Sequence, residues 1–220
     1  MFYSIKGKNN KIFLIKNGTK RQLNFFEKIR GFRINITGNN NIIEFNCDSK
    51  DIKDCSINII GDSSRIEIGK SNHLHNLKIG IGSGNNQIVK IGNNSIIEGL
   101  SLYLWEENAK VIIGENALIS SHVHIWATDG HSIIDKNTKK LINTEKKGVI
   151  IGNNCWLGQH AFLTKNTVLP EYTIVSAHSV VTGEFTKPNT VIAGTPAKII
   201  KDNVEWRHVT PTEYLKAQNL

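Results

Sequence analysis

The chain has 220 residues, 27 Lys and Arg against 19 Asp and Glu, a net charge of +8 and 39% hydrophobic residues. That length accommodates one domain, or one with a tail, and no apolar run approaches a membrane span. The excess positive charge calls for an anionic partner, but the basic residues are scattered rather than striped and no nucleic-acid motif is present, so nucleic acid is not expected.

Residues 1–65 read as strand-rich, irregular coils. Lys11-Ile12-Phe13-Leu14-Ile15 and Asn41-Ile42-Ile43-Glu44-Phe45 are strand-like runs that follow Gly and Asn turns. Met1-Phe2-Tyr3-Ser4-Ile5-Lys6 lacks the pattern of a secretory signal, and a cytoplasmic location is expected. Cys47, Cys55 and Cys155 form no Cys-x-x-Cys motif and are expected to be free thiols.

Residues 66–187 hold a repeat. Ile151, Leu157, Leu163, Leu169, Val175 and Val181 fall at six-residue spacing, and four residues after each come Cys155, Ala161, Thr167, Thr173, Ser179 and the exception Phe185. Neither the helical nor the strand period alone gives six with a small residue at a fixed offset. Short strands joined by tight corners do, three hexads making one 18-residue triangular coil. The phase runs backwards less cleanly through Ile113, Ile119 and Ile125, with Ala117 and Val123, and through Ile91 and Ile97, with Ser95 and Ser101. Ile36, Ile60, Ile68 and Ile79 come at uneven intervals before that. Gly38-Asn39-Asn40, Gly84-Asn85-Asn86, Gly92-Asn93-Asn94 and Gly152-Asn153-Asn154 supply residues that tolerate positive φ at corners.

One insertion, 127–148, interrupts the repeat, opened by Thr128-Asp129-Gly130-His131-Ser132. Insertions at a solenoid corner leave coil stacking intact and commonly carry function. Residues 188–220 leave the period, and Val204–Arg207 and Glu213–Ala217 are expected as short helical pieces separated by Pro211.

The hexads, the His-bearing loop, Ile151-Gly152-Asn153-Asn154-Cys155-Trp156-Leu157-Gly158 and Ala193-Gly194-Thr195-Pro196-Ala197-Lys198-Ile199-Ile200-Lys201 resemble the hexapeptide-repeat acyltransferases. Within them the chain is most similar to the galactoside and maltose O-acetyltransferase branch and to bacterial capsule O-acetyltransferases acting on sialic-acid polysaccharides. The resemblance implies an all-β, left-handed parallel β-helix with a protruding loop and a short C-terminal helical tail. It also implies a homotrimer, an active site between two subunits, acetyl-CoA as acyl donor and an anionic glycan as acceptor.

O-acetylation needs a base to take the proton of a sugar hydroxyl as it attacks a thioester carbonyl, and histidine titrates in the right range. Of eight histidines, His131 opens the insertion and matches the family's catalytic residue, and Trp156 matches its aromatic partner. Asp129 or a backbone carbonyl would hold the His131 tautomer, and a backbone N–H near Gly158 would stabilise the oxyanion. Gly158, Gln159 and Ala177 match positions lining the pantetheine groove, while Lys198 and Lys201 match the basic pair at the nucleotide phosphates. Where many relatives carry Val-Thr-Lys this chain has Val181-Thr182-Gly183, so Thr182 stays in the cofactor set and Lys187 is the compensating cation. Asp129, Asn143, Trp126 and Tyr103 are the acceptor-binding candidates.

A zinc reading of His122, His124 and His131 is disfavoured because the His-x4-His spacing of the related carbonic anhydrases is absent; no metal is expected. His160 and His178, 18 residues apart, should stack on adjacent coils. Two other functions stay open: an N-acyltransferase on a nucleotide-activated amino sugar, and a non-catalytic polysaccharide-binding solenoid. Base stability of the product would identify the first, and absence of CoA binding the second.

Overall fold

The computed structural model describes residues 3–24, 27–46, 48–71, 73–144 and 148–218. Cys47 and residues 145–147 of the insertion lie outside them. Among the described residues the chain forms three eight-stranded sheets and one short helix. Consecutive strands pass to the next sheet, so each sheet collects every third strand and pairs it in parallel with its equivalent one coil away. The first sheet includes Phe32–Thr37, Cys55–Ile60, Leu77–Ile81, Leu100–Leu104, Val123–Trp126, Phe162–Leu163 and Val180–Val181.

The interior follows from the six-residue pattern. Ile151, Leu157, Leu163, Leu169, Val175 and Val181 are all buried, as are Cys155, Ala161, Thr167, Thr173 and Ser179 at the corners. Phe185, too large for such a corner, packs half-buried against the core. The polar corner residues are satisfied inside: Thr173 Oγ1 donates to the Pro170 carbonyl at 2.8 Å and Thr167 Oγ1 to the Val181 carbonyl at 3.0 Å.

Coil length changes along the axis. Register pairs Phe162 with Val180, an 18-residue coil, but Leu100 with Val123 and Phe32 with Cys55, coils of 23. The longer coils have first-sheet strands of four to six residues instead of two. That is why the hexad phase blurs upstream. Ser101, read as a corner residue, lies instead on the outward face of a strand, opposite Lys78 and His124. Ile60 is exposed while Ile59 takes the interior position.

Corners use the expected left-handed conformation: Asn40, Asn86, Asn94 and Asn154 have φ between 57° and 60°. Their neighbours bond down the stack, Asn153 Oδ1 accepting from the Glu115 N–H at 2.8 Å and Asn93 Oδ1 from the Lys70 N–H at 3.0 Å.

The tail differs from expectation. Val191–Gly194 extends the third sheet, and Ala197–Lys201 folds back on it antiparallel. Ile192 is fully buried, so the interior continues past Pro188. Val204–Arg207 forms no helix. The second expected piece, Glu213–Ala217, lies within the helix Pro211–Ala217, which starts at the proline because the first helical position needs no N–H. Thr210 and Glu213 close a capping box there.

Candidate functional site

The corner between the first and second sheets carries the His131 candidate site. Gly82, Trp105, Thr128 and Lys165 succeed one another along it, each following a first-sheet strand. Gly82 leaves room for the neighbouring indole: a Cβ there would lie 2.7 Å from Trp105 Cδ1. The excursion 127–148 departs from this corner, and its described residues contribute no strand to the three sheets. Its own structure is an isolated antiparallel bridge, Ile134 to Leu141.

Asn143 clasps the excursion shut. Its Nδ2 donates to Asp129 Oδ2 and to the His131 carbonyl, each at 2.9 Å, and its Oδ1 accepts from the Ile133 N–H at 3.0 Å. Lys165, with only 8% of its side chain exposed, pairs with Asp129, donates to the Asn143 carbonyl at 2.9 Å and lies 3.8 Å from Glu106 Oε1. Glu106 Oε1 in turn accepts from Thr128 Oγ1 and the Asp129 N–H, both at 3.2 Å. Burial pushes the Asp129 carboxyl up, but the bonds from Lys165 and Asn143 and the Lys165 charge outweigh it and hold the group below its ordinary value.

His131 is exposed and lines a cleft of about 550 Å³ with Trp105, Glu106, Gly130, Leu141 and Asn143. The structure thus brings His131, Asn143 and the Asp129 network together. It leaves Tyr103 and Trp126 out of the lining; they stack edge to face at 5.6 Å on the outward side of the first sheet, one coil apart. Trp105, Glu106 and Lys165 are the site residues that the six-residue pattern gave no reason to select. Their signal was the Trp-Glu-Glu-Asn corner one coil before the Asp-Gly-His corner.

Trp156 stands on the third sheet, paired with Leu118 and Ile174, its indole N–H reaching Ser120 Oγ at 3.4 Å and its ring beside Trp206 at 6.2 Å. No hydrogen bond or ring contact joins it to His131 among the described residues. Gly158 sits in a tight corner, where a Cβ would meet the Ala177 nitrogen at 2.6 Å. Its own N–H donates to the Val175 carbonyl at 2.8 Å, so an oxyanion donor near Gly158 would have to be a neighbouring N–H. Gln159, Ala177 and Thr182 are exposed near the following corners, and Lys198 and Lys201 lie exposed on the final strand. Lys187 pairs with Asp202. Gly183 has φ +78°, a conformation a lysine would adopt only with strain.

His160 and His178 stack as expected, ring centroids 4.7 Å apart, and His122 extends the column at 4.8 Å from His160. All three sit at corners with φ between 56° and 59°. Desolvation, then the neighbouring His178, His122 and His124, lower the His160 pKa. His122 stacks away from His124, whose ring lies beside Phe162.

No protein-family model matches the chain. It is 31% identical over 127 residues to the polysialic acid O-acetyltransferase of Escherichia coli O1:K1 / APEC, covering 58% of this chain and 40% of that protein. It is 36% identical over 107 residues to the putative lipopolysaccharide biosynthesis O-acetyl transferase WbbJ of Escherichia coli K12, covering 46% and 53%. The chain therefore spans about half or less of the length of these curated relatives. The crystal structure of the polySia-specific acetyltransferase NeuO superposes with a TM-score of 0.77 over 98% of this chain and 93% of that one, at 24% identity, which is a likeness of fold.

Proposed function

We propose that this chain, whose homologues are O-acetyltransferases, transfers an acetyl group from acetyl-CoA to a hydroxyl of an acidic, sialic-acid-containing bacterial surface polysaccharide, with His131 as general base. The observation that carries the reading is His131 in a cleft at the corner where the chain makes its one long excursion, beside a carboxylate network that fixes the excursion's shape. The net charge of +8 suits an anionic acceptor.

In this mechanism the neutral His131 imidazole takes the hydroxyl proton as the oxygen attacks the thioester carbonyl carbon. The C–O bond forms, the resulting oxyanion collapses, the C–S bond breaks, and the departing thiolate recovers the proton from His131. Asp129 is engaged by Lys165 and Asn143, so its part is to hold the loop rather than to orient the imidazole directly. The oxyanion requires an N–H donor other than that of Gly158. Lys198 and Lys201 would pair with the CoA phosphates, with Gln159, Ala177 and Thr182 along the groove. A left-handed coil, implied by the resemblance, belongs to the same reading, as does a homotrimer: Trp156 and His131 do not meet within one chain, which suits a site completed by a second copy. A cytoplasmic location fits the acetyl-CoA donor.

The test is release of free CoA from acetyl-CoA in the presence of oligosialic acid, with a base-labile acetyl ester as product. His131→Ala should lower kcat/KM by about 100-fold or more while leaving thermal unfolding unchanged. Full turnover by that variant would overturn the mechanism, and no CoA release with any glycan would overturn the activity.

A further inference from the structure

On the third sheet, away from the corner that carries the cleft, two histidines share one outer face. His73 and His75 flank the buried Leu74 on the third-sheet strand His73–His75, so both rings point out of the solenoid. The coils on either side align with this strand: Leu74 pairs with Ile52 in one direction and with Ile97 in the other. Asp51 and Glu98, next to those two isoleucines, therefore stand on either side of the histidine pair.

The four side chains converge. Asp51 Oδ2 lies 3.1 Å from His73 Nδ1 and 3.1 Å from His75 Nε2. Glu98 Oε1 lies 3.0 Å from His73 Nε2, and the two imidazole centroids are 3.5 Å apart. Yet neither His73 Nε2 nor His75 Nε2, both shielded from solvent, makes an aligned hydrogen bond. Both nitrogens thus stand against carboxylate oxygens without the aligned hydrogen bond that would account for the contact. Ligands held 2.0–2.1 Å from a tetrahedral ion stand about 3.3 Å from one another, close to the two 3.1 Å separations of Asp51 Oδ2 from the imidazole nitrogens.

We propose that Asp51, His73 and His75 form a site for a divalent transition-metal ion of the zinc class. Asp51 Oδ2, His73 Nδ1 and His75 Nε2 are the three donors, drawn from two coils, and they fall within 4.8 Å of one another. Lys53 Nζ holds the other Asp51 oxygen at 2.8 Å, leaving Oδ2 for the ion. Glu98, from a third coil, stands beside the second nitrogen of His73 and would orient that ring once the ion binds, as carboxylates behind metal-bound imidazoles do. Two imidazoles and one carboxylate leave a fourth position for water. The ion would tie neighbouring coils together on a different sheet from the strands that lead to the His131 corner, and this inference does not depend on acetyl transfer. It departs from the sequence reading, which called for no metal.

The full chain, free of affinity tags and stripped with chelator, is titrated with Zn2+ by calorimetry and with Co2+ by visible absorption. One equivalent of either ion should bind, Co2+ giving a d–d band that Zn2+ bleaches, with Zn2+ raising the melting temperature. His73→Ala and His75→Ala should each weaken Zn2+ binding at least 100-fold, and Glu98→Gln by about 10- to 100-fold. Should an alanine variant misfold, Asp51→Asn, which keeps the side-chain shape, is expected to lose binding to the same degree. His160→Ala, in the other histidine column, should leave it unchanged. The proposal is overturned if the wild-type chain takes up neither ion, or if uptake survives His75→Ala and disappears in His160→Ala.

Discussion

Lys165, in the turn after Phe162–Leu163, pairs with Asp129 at the start of the excursion, so the first coil after the insertion anchors the loop that the previous coil emits. The ammonium is nearly enclosed and also serves the Asn143 carbonyl. One buried cation thus fixes both limbs of the His131 cleft.

Lys165→Met should destabilise the protein by about 1–2 kcal/mol in urea denaturation, because it strands Asp129 with Glu106 nearby. The cost stays below that of a fully buried pair because Asp129 retains solvent contact. Acetyl transfer should fall through KM for the acceptor more than through kcat. An unchanged KM would show that the pair has no part in shaping the cleft.

The Arg21–Glu27 pair gives a pH dependence with a defined window. The bidentate bond from Arg21, followed by the Asn24 N–H, lowers the Glu27 pKa from 4.5 to about 2. A depressed carboxyl contributes stability above its unfolded value and loses it as pH falls through the folded one. Unfolding midpoints should therefore drop between pH 4.5 and about 2. Arg21→Met should flatten that part of the curve while leaving the neutral region little altered.

Gly183→Lys, which installs the residue the resemblance implies at this position, meets open space but a φ of +78°. It should cost about 1–2 kcal/mol, and Gly183→Asn less, since asparagine tolerates that conformation. Equal losses for the two would mean the backbone is free to relax.

Cys55 and Cys155 are buried, and burial pushes both thiols up to about 11. Neither should react with a thiol reagent at pH 8 until the protein is unfolded. Labelling of either in the native state would contradict the packing of those corners.

How much the sequence disclosed depended on corner size. After the excursion every corner admits only a small side chain, so Cys155, Ala161 and Ser179 declare the coil by their spacing. Upstream, strands lengthen to four to six residues, inward positions alternate within a strand, and Ser101 and Ile60 take the face opposite to the one the hexad phase gives them. The cleft was half legible. His131 and Asp129 stood out beside a glycine at the break in the repeat, whereas Trp105 and Lys165 join them only through coil stacking, a relation between residues far apart in the chain. The tail was read in part: Glu213–Ala217 is helical as expected, whereas Val204–Arg207 is not, because Pro211 marks where one helix starts and says nothing of the residues before it.

The shortening of the coils also sets a direction of opening. Past Val149–Ile151, each strand of the hexad coils contributes two residues to the parallel ladder, against four or more at most first- and second-sheet positions earlier. Fewer bonds hold one coil to the next there, and the terminal hairpin and the Trp206 indole, bonded to the Asn154 carbonyl at 2.6 Å, act as the straps over that end. Amide exchange should therefore enter from the C-terminal coils, with the wide N-terminal coils protected longest. The proposed cofactor groove would then lie in the yielding half of the molecule, and a ligand bound along it would close the very end where the solenoid first lets go.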